Sequence, residues 1–115
     1  MQALFKPLPM GALLLPNRIL MAPLTRTRAE AGHVPGALMA EHYAQRASSG
    51  LLIAEATMAM AGNSAFNTEP GIYSAEQIAG WKKTTDAVHA AGGRIFLQIW
   101  HGGRACPPLL DDGAG

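Results

Sequence analysis

A buried amide without a partner costs about 1–3 kcal/mol, so a glutamine inside an apolar strand must bond to something. Gln98 is such a residue, in the run Arg94-Ile-Phe-Leu-Gln-Ile-Trp100. Strand alternation puts Ile95, Leu97 and Ile99 on one face and Phe96, Gln98 and Trp100 on the other. The aliphatic face suits packing under helices. The second face carries an amide and an indole at its C-terminal end, where the amide meets either a neighbouring backbone group or a ligand. Glu55 poses a similar question in Leu51-Leu-Ile-Ala-Glu-Ala-Thr57. With Leu52, Ala54 and Ala56 on one face, Glu55 and Thr57 fall on the other. There the carboxylate could act as a base or pair with a buried Arg or Lys. Thr25, after Ala22-Pro-Leu24, is by itself an ordinary loop threonine. In His101-Gly-Gly-Arg104 the glycines would let backbone approach a ligand that His101 or Arg104 contacts, or would simply make a tight turn. His33, His42, His89 and His101 show no metal-ligand spacing, so no metal site is expected. Cys106, before Pro107 and Pro108, lacks the partners of a nucleophile and reads as a loop cysteine.

The elements that would hold these residues alternate. Residues 1–17, with Pro7, Pro9, Gly11 and Pro16, read as a turn-rich entry segment or small hairpin. A buried strand is expected near 18–22, stopped by Pro23, which cannot donate to a sheet ladder. Met39, Tyr43 and Ala47 recur at spacing four, predicting a helix over Ala37–Ser49 with Gly50 at its C-cap. Strands follow near 51–57 and 94–100. Between them Ser74-Ala-Glu-Gln77 is a capping box, opening a helix whose packed face is read as Ile78, Trp81, Thr85 and Val88. Gly92 and Gly93 end it. The order β-α-β-α-β implies parallel strands. The pattern leaves a (β/α)8 barrel and a doubly wound sheet both open. The first strand is not followed by G-x-G-x-x-G, which weakens the dinucleotide-binding reading. The loops after strands are long, as in barrels whose active sites lie at the C-terminal face.

The 115 residues suffice for one small domain, and 49% hydrophobic content argues against disorder. A net charge of +1 argues against nucleic acid or an anionic membrane as partner. One cysteine excludes an intramolecular disulfide. No signal-peptide layout and no run of about 20 apolar residues is present. A soluble cytoplasmic protein is expected.

Five segments in order then resemble one family. Pro16-Asn-Arg-Ile-Leu-Met-Ala-Pro-Leu-Thr-Arg26 is similar to the first-strand signature of the old yellow enzymes. Tyr43-Ala-Gln-Arg-Ala-Ser-Ser-Gly50 resembles their first helix, and Ile53-Ala-Glu-Ala-Thr57 their second strand. Pro70-Gly-Ile-Tyr-Ser-Ala-Glu-Gln77 with Trp81-Lys82, and Gln98-Ile-Trp-His-Gly-Gly-Arg104, complete the match, nearest to the N-ethylmaleimide reductase group.

The resemblance implies the N-terminal β-α-β-α-β part of a (β/α)8 barrel that binds FMN. It implies Pro23, Leu24 and Thr25 against the flavin ring, the Thr25 hydroxyl tuning the flavin through its C4 carbonyl, Ala56 touching the ring by its backbone, and Gln98 on the pyrimidine edge. Trp100 would line the substrate pocket. NADPH or NADH would be the reductant, and activated alkenes (α,β-unsaturated carbonyls, maleimides, nitro compounds) the small-molecule substrates. Residues 1–115 are read as the N-terminal portion of one such domain. The family's proton-donating tyrosine, substrate-orienting pair and phosphate-binding residues are expected outside this chain. Asp111–Gly115 is read as a loop with no closing element, and a barrel takes about 250 residues. The alternative is therefore a non-catalytic fragment of such an enzyme. Two places depart from the family: Ala105-Cys-Pro-Pro108, where Ser-His or similar is usual, and Gly36, where Asn or Thr is common.

Overall fold

A computed structural model describes residues 2–107. Strands β1 (Leu8–Met10) and β2 (Leu13–Leu15) form an antiparallel hairpin turned at Gly11, whose φ of +57° suits glycine. The main sheet holds β3 (Leu20–Met21), β4 (Leu51–Met58) and β5 (Ile95–Trp100) in the order β3-β4-β5, all parallel. Helices α1 (Ala37–Ala44) and α2 (Ala75–Ala90) join them. The expected loop at Asp111–Gly115 lies outside the described residues.

β4 is the central strand and is buried along nearly its whole length, as a parallel strand covered on both sides must be. Leu52 and Ala54 pack with Met39, Tyr43 and Ala47 from the α1 segment and with Trp81 and Val88 of α2. Ile95 and Leu97 of β5 lean on the same cluster, so the aliphatic face of that strand does lie under the helices. Ile99, in the same phase, is 60% exposed. No α-helix follows β5 among the described residues to cover it.

Helix α1 is shorter than its pattern. Regular helix stops at Ala44, and the next turns tighten to i→i+3 bonds, Arg46 to Tyr43 and Ala47 to Ala44. Its N-cap, Gly36, makes no side-chain bond, so the glycine noted above leaves this helix start uncapped. Gly50 is not a left-handed C-cap. It is glycine because a Cβ there would strike the Asn17 carbonyl, and its N–H instead donates to Ile19.

Helix α2 opens with the expected box: Ser74 accepts from the Gln77 N–H while Gln77 Oε1 accepts from the Ser74 N–H. It closes in a Schellman turn, Gly93 bonding to Val88 and Gly92 to His89, with Gly92 at φ +82°. Its buried face is Gln77, Gly80, Trp81, Thr84 and Val88, rotated from the expected one; Ile78 is 54% exposed. Two contacts set that rotation. Trp81 Nε1 donates to the Gly71 carbonyl at 3.1 Å, and Gly80 lets the helix close on Pro35.

Candidate functional site

Parallel strands end on one side of a sheet, so the loops after β3, β4 and β5 gather at a common edge. Pro23 and Thr25 are half-buried there and Leu24 is 56% exposed. Gln98 is exposed on the phase opposite Leu97. Among the described residues, neither the Thr25 hydroxyl nor the Gln98 amide has a hydrogen-bond partner. Trp100 is half-buried, and its Nε1 is fully enclosed without a partner among the described residues. Its ring stacks on Phe66 at 5.6 Å and 21°. Phe66 belongs to the loop after β4, and no motif marked it. Only the strand end and the loop seen together bring the two rings into contact.

Between β3 and β5 the β4 ladder is broken. Ala54 pairs with Leu97, but the next pair is Thr57 with Ile99, so Glu55 and Ala56 stand opposite Gln98 alone. This is a bulge. It resets the phase, and Thr57 falls in register with the aliphatic face rather than opposite it. Side chains serve the backbone of Glu55 within the bulge. The Glu55 N–H donates to Tyr43 Oη at 3.0 Å, and Thr57 Oγ1 donates to the Glu55 carbonyl at 2.8 Å. The Tyr43 hydroxyl in turn donates to Glu55 Oε2 at 2.6 Å. Ala56 lies within this knot, 7% exposed.

The partner of Glu55 is thus a phenol, not the Arg or Lys expected of a buried carboxylate. Burial pushes the Glu55 carboxyl above its usual range, against the pull of the Tyr43 hydroxyl and of the Arg26 backbone and charge. Burial, and then the Glu55 bond, push the Tyr43 phenol far up. Among the described residues Glu55 Oε1 has no hydrogen-bond partner, and it edges a cavity of about 210 Å³ shared with Arg26, Arg28, Leu38, Met39 and His42.

After β5, Asn63 clasps the next loop. Its Oδ1 accepts from the Gly102 N–H at 2.6 Å, and its Nδ2 lies 3.1 Å from the His101 ring nitrogens. Gly103 takes φ +56° and Arg104 points to solvent. His101-Gly-Gly-Arg104 is therefore a turn tied to the loop after β4.

Comparison with known proteins resolves what this arrangement belongs to. The profile of the NADH:flavin oxidoreductase / NADH oxidase family matches residues 3–113. The chain belongs to that family. A relative from Leishmania infantum, named a probable flavin mononucleotide-dependent alkene reductase, is 52% identical over 111 residues, 96% of this chain and 30% of its own length. The solved old yellow enzyme of Trypanosoma cruzi shares 53% identity at TM-score 0.91 over 95% of this chain and 29% of that one. Morphinone reductase in complex with tetrahydroNAD shares 49% at TM-score 0.92, covering 98% and 31%.

The chain therefore has the fold of the N-terminal β-α-β-α-β part of an old yellow enzyme (β/α)8 barrel. It spans about 30% of the length of these relatives. The doubly wound alternative is excluded by that match. Flavin and nicotinamide cofactors are those of the family, which acts on small molecules. Among the described residues no helix is long and apolar enough to cross a membrane.

Proposed function

We propose that this chain forms the flavin-facing N-terminal wall of an FMN-dependent alkene reductase driven by NADPH or NADH, with residues 1–115 as the first portion of its single barrel domain. The observation that carries this is the set of polar groups at one end of the sheet that no described residue bonds: the Thr25 hydroxyl, the solvent-facing Gln98 amide and the enclosed Trp100 indole N–H. An enclosed N–H without a partner is costly, and a planar ring bearing carbonyls and ring nitrogens fits groups of this kind.

In this reading Pro23 and Leu24 present an apolar surface to the ring. Thr25 donates to its C4 carbonyl, where a hydrogen bond stabilises added charge and so tunes the potential. The Ala56 backbone supports the ring edge, and Gln98 bonds both a donor and an acceptor on the pyrimidine side. Trp100, backed by Phe66, walls the space above. When bound, FMN supplies hydride chemistry between a reduced nicotinamide and the β-carbon of an activated alkene. The substrates are α,β-unsaturated carbonyls, maleimides and nitro compounds.

The test joins residues 1–105 to the remaining strands of morphinone reductase. The hybrid should purify yellow and reduce 2-cyclohexenone with NADPH or NADH, and Gln98→Ala should weaken FMN binding at least tenfold. A folded hybrid whose Gln98→Ala form holds FMN equally well would overturn the assignment.

A further inference from the structure

The bulge in β4 poses a local problem of hydrogen bonding. An extra residue in one strand leaves an N–H and a carbonyl without ladder partners. Glu55, one of the two bulged residues, is fully buried, so water cannot serve its backbone groups. Tyr43 Oη takes the N–H and Thr57 Oγ1 serves the carbonyl. The same Tyr43 hydroxyl donates a hydrogen bond to Glu55 Oε2. One hydroxyl from α1 thus closes a ring through the backbone and the side chain of a single residue. Arg26, directly after Thr25, lines the same cavity as Glu55, and its charge pulls on the Glu55 carboxyl. Tyr43 is fully buried beside Trp81, with ring centroids 6.4 Å apart, so packing holds its hydroxyl in place.

We infer that Tyr43 is a positioning residue: its hydroxyl latches the β4 bulge through Glu55 and so sets where the Ala56 backbone and the Thr25 loop stand at the end of the sheet. What those two residues face rests on the flavin reading; the latch does not. Tyr43→Phe keeps the ring and its packing but removes one acceptor and one donor. Glu55→Gln keeps an oxygen to accept the Tyr43 hydroxyl and keeps the Glu55 position's N–H. It is therefore the conservative rescue. Thr57→Val loosens the same bulge from the other side and stands in if Tyr43→Phe fails to fold.

The experiment has two arms. Amide hydrogen exchange on the 115-residue chain should run at least tenfold faster at Glu55 and Ala56 in Tyr43→Phe, with Val88 of α2 unchanged. Thr57→Val should move the same amides in the same direction, and Glu55→Gln should match wild type. In the morphinone reductase hybrid, Tyr43→Phe should shift the flavin absorption band and midpoint potential, which a merely packed tyrosine would not do, while Glu55→Gln should leave both in place. Unchanged exchange at Glu55 and Ala56 in both Tyr43→Phe and Thr57→Val overturns the latch. Faster exchange with an unmoved flavin band and potential overturns the positioning role. An unmutated hybrid that binds no FMN sinks the flavin reading instead, and the exchange arm then decides the latch.

Discussion

Gln77 Nε2 donates to the Gly32 carbonyl at 3.0 Å, joining residues 45 apart in the chain. The same side chain accepts from the Tyr73 and Ser74 N–H groups at 2.9 and 3.0 Å. One amide therefore caps α2 and pins the loop after β3 to it. Gln77→Ala should lower unfolding free energy by about 2–4 kcal/mol, since buried donors and acceptors lose their partners together. Ser74→Ala, which removes only one cap bond, should cost about 1 kcal/mol. Chemical denaturation of both variants checks this; an equal effect would mean that Gln77 acts only within the cap.

Gly80→Ala should destabilise the protein, although alanine is the better helix former by about 1 kcal/mol. A Cβ at Gly80 would lie about 2.5 Å from the Pro35 carbonyl, which is backbone and cannot swing aside. Thermal melts decide: a raised Tm would show that α2 can back away from the loop at no cost.

Burial raises the carboxyls of Glu55 and Glu69 above the usual 4.5. A carboxyl raised in the folded state contributes stability that is full below that value and lost as pH rises through the folded one. His42, lowered by burial and by Arg46 and Arg26, runs the other way and loses stability as pH falls below its ordinary 6.5. Glu69→Gln keeps an oxygen for the Ala65 N–H, which Oε1 now accepts at 3.1 Å, and removes the titration. Its stability relative to wild type should therefore improve as pH rises above 4.5. A difference independent of pH would mean that Glu69 titrates alike in both states.

In the morphinone reductase hybrid, Thr25→Ala should move the flavin potential and slow one half-reaction more than the other, for loss of a bond worth about 1 kcal/mol. Stopped-flow of the two half-reactions is the measurement. Unchanged rates and potential would separate Thr25 from the ring.

The 115-residue chain by itself should neither hold FMN tightly nor turn over 2-cyclohexenone. β3 and β5 each keep one unpaired edge among the described residues, and Leu24, Phe96 and Ile99 are 56%, 48% and 60% exposed. Without groups to stabilise the developing enolate oxygen, several kcal/mol of transition-state stabilisation are missing. Anaerobic assay with NADPH tests this; a stoichiometric yellow chain with steady turnover would mean that self-association rebuilds the site.

Local chemistry was legible in the residues. Ser74 to Gln77 spells its cap within four positions, and period-two alternation found the side of β5 that meets the helices. What failed depended on distant contacts. The rotation of α2 hangs on Gly71 and Pro35, which no helical pattern contains. Alternation through Glu55 assumed an unbroken ladder, so the bulge and the Tyr43 partner stayed hidden. Phe66 sits in a loop and became visible only against Trp100. Thr25 is unremarkable without the family resemblance, because a hydroxyl proposed to meet a ligand looks like any other loop hydroxyl.

The bulge also sets how this protein can vary in length. Deleting Ala56 would let Glu55 pair opposite Gln98 and restore an unbroken parallel ladder, the more regular sheet by any local measure. Thr57 and Met58 would keep their partners, Ile99 and Trp100, and the loop that carries Asn63 and Phe66 would start where it does now; what would change is the Glu55 backbone that Tyr43 and Thr57 hold. The spare residue inside β4 therefore serves the knot around Glu55 and not the reach of the strand. Regularity here would come at the expense of that knot.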